Sequence, residues 1–125
     1  MIHLDTHAVV WLAGGQAGRV PAALRARFAE SPPVVSPIVA LELEFLHEIG
    51  RIRESGTRVL DHLEATIGLT LSPVPFAAAV AAARGLRWTR DPFDRLIVGS
   101  ALAQGAELAT NDALIRANFP LATWD

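Results

Sequence analysis

The chain has 125 residues, is 51% hydrophobic and 19% charged, and carries a formal net charge of −2. That composition describes a single globular domain burying roughly two-thirds of its unfolded surface, and it excludes both a disordered segment and a strongly basic nucleic-acid binder. With no cysteine and with arginine as all 11 basic residues, the chain has no disulfides, no thiolate chemistry and no mechanism that needs a lysine.

In chain order, "IHL" at 2–4 reads as a short buried strand, and Thr6 to Ala13 reads as a helix stopped by Gly14 and Gly15. A second helix is expected from Pro21 to Ala29, where proline suits the first turn, and a second strand near 33 to 36. From Pro37 a helix runs to about Ile49 and ends at Gly50, with an inward stripe of Ile38, Leu41, Glu42, Phe45 and Ile49. A helix over Thr57 to Thr66 leads into a strand in "GLTLSPV", and "PFAAAVAAARG" is an alanine-rich helix ending at Gly85. The segment from Asp91 to Gln104 is helical, "ELAT" a strand, "NDALIRANF" a short helix and "PLATW" the last strand. The loop "GLRWTRD" is expected to be exposed and irregular.

Short strands alternating with helices predict an α/β domain spanning residues 1–125, a three-layer α/β/α sandwich around a mostly parallel sheet of about five strands. No run of about 18 apolar residues is present to cross a membrane. The start lacks the pattern of a signal peptide, and together with the missing cysteines this predicts a cytoplasmic protein.

The layout places acidic residues at one edge. Asp5 follows the first strand, Asp112 follows "ELAT", Glu42 lies early in the helix after the second strand, and Asp91 and Asp94 open the helix at 92. Strand C-termini of a parallel sheet line one crevice, so these side chains should converge there. Each has a structural alternative. Asp91 suits an N-cap before Pro92, with Asp94 as the acidic partner of a capping box, and Asp5 and Asp112 suit caps of their own helices. Glu42 resists that explanation because its stripe points inward, where an unpaired charge is costly. Glu44 should project elsewhere as a solvated charge. Converging carboxylates repel unless one is protonated or a cation neutralises them, and an all-oxygen donor set suits Mg²⁺ or Mn²⁺. Zinc is disfavoured: cysteine is absent, and His3, His7, His47 and His62 read as structural or surface residues.

These motifs, "LDTHAVVWL", "SPIVALEL", "RDPFDRLIVGSALAQG" and "LATND", taken in that order over the whole chain, resemble those of PIN-domain nucleases, and specifically VapC-like toxins of bacterial toxin–antitoxin pairs. The resemblance implies a metal-dependent ribonuclease whose acidic pocket is Asp5, Glu42, Asp94 and Asp112. Glu42 fits the pattern S-x-x-x-x-x-E-L from Ser36 better than Glu44 does. Thr110 matches a hydroxyl residue placed beside the metal, and Asp91 is either a cap or an outer ligand. The resemblance also implies an RNA substrate cut to leave a 5′-phosphate and a 3′-hydroxyl, a cognate antitoxin and a homodimer. Arg84, Arg87, Arg90 and Arg95 surround the loop beside the expected site. Arg87, Arg90 and Arg95 are the expected RNA contacts, with Trp88 as a base-stacking or a packing residue. Trp11 reads as core or interface rather than as a base platform. Receiver domains and aspartyl phosphatases need the lysine that is missing. A non-catalytic binding module whose aspartates are caps is the remaining alternative.

Overall fold

The computed structural model describes residues 1–125. Five strands, β1 (Ile2–Leu4), β2 (Val34–Val35), β3 (Thr70–Leu71), β4 (Glu107–Ala109) and β5 (Ala122–Thr123), form one parallel sheet in the order β3-β2-β1-β4-β5. Seven helices flank it in an α/β/α arrangement: α1 (Thr6–Ala13), α2 (Ala22–Glu30), α3 (Pro37–Glu48), α4 (Gly56–Ile67), α5 (Phe76–Ala83), α6 (Pro92–Gln104) and α7 (Ala113–Asn118). A single 3-10 turn, Ala17–Arg19, precedes α2. None of the helices is long and apolar enough to cross a membrane.

The punctuation expected from the sequence sets the helix ends. Ser36 and Asp91 cap α3 and α6, each followed by proline in the first turn. Gly105 closes α6 at φ +64°, a conformation that residues with a Cβ rarely adopt. The second helix starts at Ala22, one residue later than expected, because Pro21 takes the extended N-cap conformation.

The core is continuous. Leu4, Val35 and Leu108 of the central strands are fully buried among Val9, Val39, Leu43, Leu63, Val98 and Ile115 from the helices. Helices α5 and α6 pack closely at Gly99, where an added Cβ would stand 2.7 Å from the Ala79 carbonyl oxygen.

The expected stripe of α3 is corrected. Val39 and Leu43 are the residues buried against the core, whereas Leu41, Phe45 and Ile49 are 47%, 46% and 66% exposed. Apolar residues occur on two faces of this helix, and a period of 3.6 fits either one. The outer face continues onto α6, where the Phe45 and Phe93 rings meet edge to face at 5.5 Å, and onto the exposed Phe76 of α5.

Candidate functional site

Strand order sets the position of the site. From β1 the chain moves outward to β2 and β3, then returns to the other side of β1 as β4. A parallel sheet opens a crevice where its order reverses, beyond the C-terminal strand ends. Here that point lies between β1 and β4, whose register pairs Leu4 with Ala109. The next residues, Asp5 and Thr110, therefore stand side by side at the mouth.

Asp5 occupies the N-cap position of α1 without making a side-chain cap bond, so the capping explanation fails for it. Its backbone N–H donates to the Ala109 carbonyl across 3.1 Å, and its side chain is only 6% exposed. The Thr110 hydroxyl donates to Asp5 Oδ2 at 2.5 Å and accepts the Asp112 N–H at 3.1 Å. One buried hydroxyl thus orients Asp5 and ties down the chain leading to Asp112.

A second threonine does the same for the glutamate. Thr6, almost wholly buried at the start of α1, donates its hydroxyl to Glu42 Oε1 at 2.5 Å. Glu42 is half-buried near the C-terminal edge of the sheet, although the stripe that suggested its inward position lies mostly on the outer face of α3. Glu44 is not a free surface charge: its Oε1 accepts the Gly56 N–H at 2.6 Å and anchors the start of α4. Of the two glutamates, only Glu42 turns toward Asp5.

Asp94, one turn into α6, completes the group. Asp91 accepts from the N–H groups of Phe93 and Asp94 at 2.8 and 3.3 Å, and so caps α6. No reciprocal bond from Asp94 makes a capping box, because the Asp91 N–H donates instead to the Thr89 hydroxyl. Asp112 likewise caps α7 through the Ile115 N–H at 2.9 Å. Both caps remain exposed, with a carboxylate near the mouth.

Electrostatics reveals the convergence. Asp94 is pushed up to about 7, first by burial and then by the charges of Asp91, Asp5, Asp112 and Glu42. Burial is also the leading cause of the raised pKa of Asp5, with Asp112 adding to it and the Thr110 bond and His7 opposing it. Glu42 is raised by burial, and Asp5 and Asp91 add to the shift while Thr6 and His7 oppose it. Carboxylates from four separate segments therefore sense one another at one edge of the sheet.

No three acidic or histidine side chains in this arrangement stand close enough together to enclose an ion. The donor chemistry still fits a hard divalent cation: every side chain offered is a carboxylate or hydroxyl oxygen, and two carboxylates are already oriented by hydroxyl donors.

A cavity of about 220 Å³ at this edge is lined by Asp5, His7, Trp11, Asn111 and Asp112. A larger one, of about 560 Å³, lies beside α4 and touches none of the converging carboxylates. Of the expected RNA contacts, Arg87 and Arg90 are exposed in the loop before α6. Arg95 is turned the other way, donating its Nε to the Ala83 carbonyl and Nη2 to the Arg84 carbonyl, both at 3.1 Å. These bonds satisfy the C-terminus of α5. Trp88 is half-buried and packs on the core cluster. Sequence reasoning missed Thr6, His7 and Trp11. The only available signal was their place on the helix that follows Asp5.

The family model for the PIN domain matches residues 2–118. The chain belongs to the PIN domain family. This PIN domain is also similar to solved structures. It superposes with a TM-score of 0.72 on a chain of VapBC2 from Rickettsia felis, bound in that crystal to a DNA fragment from their promoter, with 21% identity over 100% of both chains. With DNA-bound VapBC from Salmonella typhimurium the TM-score is 0.64 and the identity 21%, over 97% of this chain and 93% of that one. No curated protein matches this chain.

Proposed function

We propose that this PIN domain is a Mg²⁺- or Mn²⁺-dependent endoribonuclease and the toxin of a toxin–antitoxin pair. The observation that carries the reading is that Asp5, Glu42, Asp94 and Asp112 come to one edge of the sheet, where burial first, and then Asp91 and the other carboxylates, push Asp94 up to about 7. Helix capping accounts for Asp91 and Asp112. It does not account for Asp5, which is buried and caps nothing, or for Glu42.

A bound divalent cation supplies a counter-charge for these carboxylates and for phosphoryl oxygens, and it lowers the pKa of coordinated water. Asp5 and Asp94 would hold it directly, with Glu42 and Asp112 acting through water. Thr110 holds one oxygen of Asp5, and Thr6 holds one oxygen of Glu42. Glu42, its basicity raised by burial, would orient the attacking water. Arg87 and Arg90 supply forked donors for the RNA backbone beside an otherwise acidic groove.

A protein partner is supported by the unpartnered apolar face of Leu41, Phe45, Ile49 and Phe76. Patches of that kind mark interaction surfaces. The reading includes a cognate antitoxin and a homodimer.

The test incubates the purified protein with total cellular RNA, with and without Mn²⁺, and maps the cut ends by sequencing. Defined Mn²⁺-dependent cuts are expected from the parent and none from Asp94→Asn. The rival reading, a non-catalytic binding module, requires no cuts and no thermal shift with Mg²⁺ or Mn²⁺. A metal site at a hundred times its Kd would add about 2.7 kcal/mol, a shift of several degrees.

A further inference from the structure

Trp11 sits on the same face of α1 as His7, one turn further from Asp5, and their rings lie 6.0 Å apart. With Asp5 and Asp112 they border the acidic cavity. The indole is held from two other directions. The Arg19 guanidinium lies 4.3 Å from its centroid, and Trp124 meets it edge-on at 5.8 Å. Arg19 is exposed and spends one donor on Gln16, leaving others for an anion.

We propose that Trp11 is a base-stacking platform for the unpaired nucleotide next to the scissile phosphate, with Arg19 binding that nucleotide's phosphate. This rests on the ribonuclease reading above and adds a subsite to it. Asp5 and Trp11 are six residues apart, about 9 Å along a helix axis, which is within reach of one neighbouring nucleotide. Arg19 lies over one face of the indole, Trp124 meets its edge and the ring packs against the core cluster, so a base would stack on the part that borders the cavity, with little ordering left to lose and no particular base identity needed. The subsite selects for flexible, single-stranded RNA, because a base paired within a helix cannot reach the indole.

The test uses a short single-stranded RNA that the parent cuts at one mapped position. Versions of it carry an abasic nucleotide at each position flanking the cut. For the parent, one flanking abasic substitution should lower kcat/KM by roughly tenfold to a hundredfold. Trp11→Leu should lose a similar factor on intact RNA and show no further loss at that abasic position, while Trp11→Phe recovers much of the loss. Arg19→Ala, at an exposed position, checks the subsite without touching the core and should weaken binding of the intact RNA more than of the abasic one. Circular dichroism confirms that each variant is folded. If the parent is insensitive to every flanking abasic substitution, or folded Trp11→Leu stays as sensitive as the parent, the platform is overturned and the nuclease reading stands. A parent protein that cuts no RNA overturns both.

Discussion

The Thr110 hydroxyl donates to Asp5 Oδ2 at 2.5 Å while accepting the Asp112 N–H. Two strands that are neighbours only in the folded sheet thereby fix one carboxylate. The hydroxyl has a single proton to donate, and it goes to Asp5 Oδ2.

Replacing that group with an isostere tests its role. Thr110→Val keeps the side-chain shape just after β4 but leaves a buried carboxylate oxygen and the Asp112 amide without their partner. The expected cost is about 1–3 kcal/mol in urea unfolding, together with a loss of roughly tenfold to a hundredfold in Mn²⁺ affinity or cleavage. Thr110→Ser should preserve most of both. If Thr110→Val binds Mn²⁺ like the parent, the hydroxyl does not position Asp5.

The raised pKa of Asp94 gives the metal-free protein a distinctive pH profile. Its folded pKa is about 7 against the ordinary 3.8. Between those values the folded state holds a proton that the unfolded state has released. The contribution of Asp94 to stability therefore falls as pH rises from about 4 to about 7, and it stays low above that. Asp94→Asn should remove this slope and leave the metal-free protein more stable than the parent at pH 8. Denaturation at several pH values in EDTA measures it, and parallel profiles for the two proteins would refute the assignment.

The two glutamates of α3 should separate chemistry from folding. Glu42→Gln should reduce cleavage about a hundredfold or more with little change in melting temperature, since Thr6 can still donate to the amide oxygen. Glu44→Gln should leave cleavage near the parental rate and lower stability by about 1 kcal/mol, because the Gly56 N–H loses a charged acceptor at the start of α4. The reverse pattern would identify Glu44 as the functional residue.

Gly99 offers a test of the helix packing that carries Asp94. Alanine in a helix interior ordinarily gains about 1 kcal/mol over glycine. Here its methyl would stand 2.7 Å from the Ala79 carbonyl oxygen and 3.0 Å from the Ala83 Cβ. Overpacking of that kind costs about 1–3 kcal/mol and should win. Gly99→Ala is therefore expected to melt lower than the parent, and a higher melting temperature would contradict the close approach of α5 and α6.

Much of this PIN domain was written locally. Glycine, proline and capping side chains act within a few residues of where they stand, so the element order and most boundaries followed from the sequence. The same locality exposed Asp5 and Asp112 as charges just after strands, Asp94 in the first turn of α6 and Glu42 within α3. What the sequence could not decide was every question of facing. Helix α3 carries apolar residues on two sides, and only docking against the sheet selected Val39 and Leu43 for burial and left Leu41, Phe45 and Ile49 outside. The bond of Thr6 to Glu42 spans 36 positions, and that of Thr110 to Asp5 spans 105. Arg95 was grouped with the RNA contacts by its neighbours in sequence, whereas its guanidinium closes the end of α5. Trp11 reached the cavity through the turn of α1, and Arg19 and Trp124 came to it from separate segments. Periodicity and capping are set by near neighbours along the chain. Which faces meet is set by the sheet order and the shared core, and these exist only once distant segments have packed.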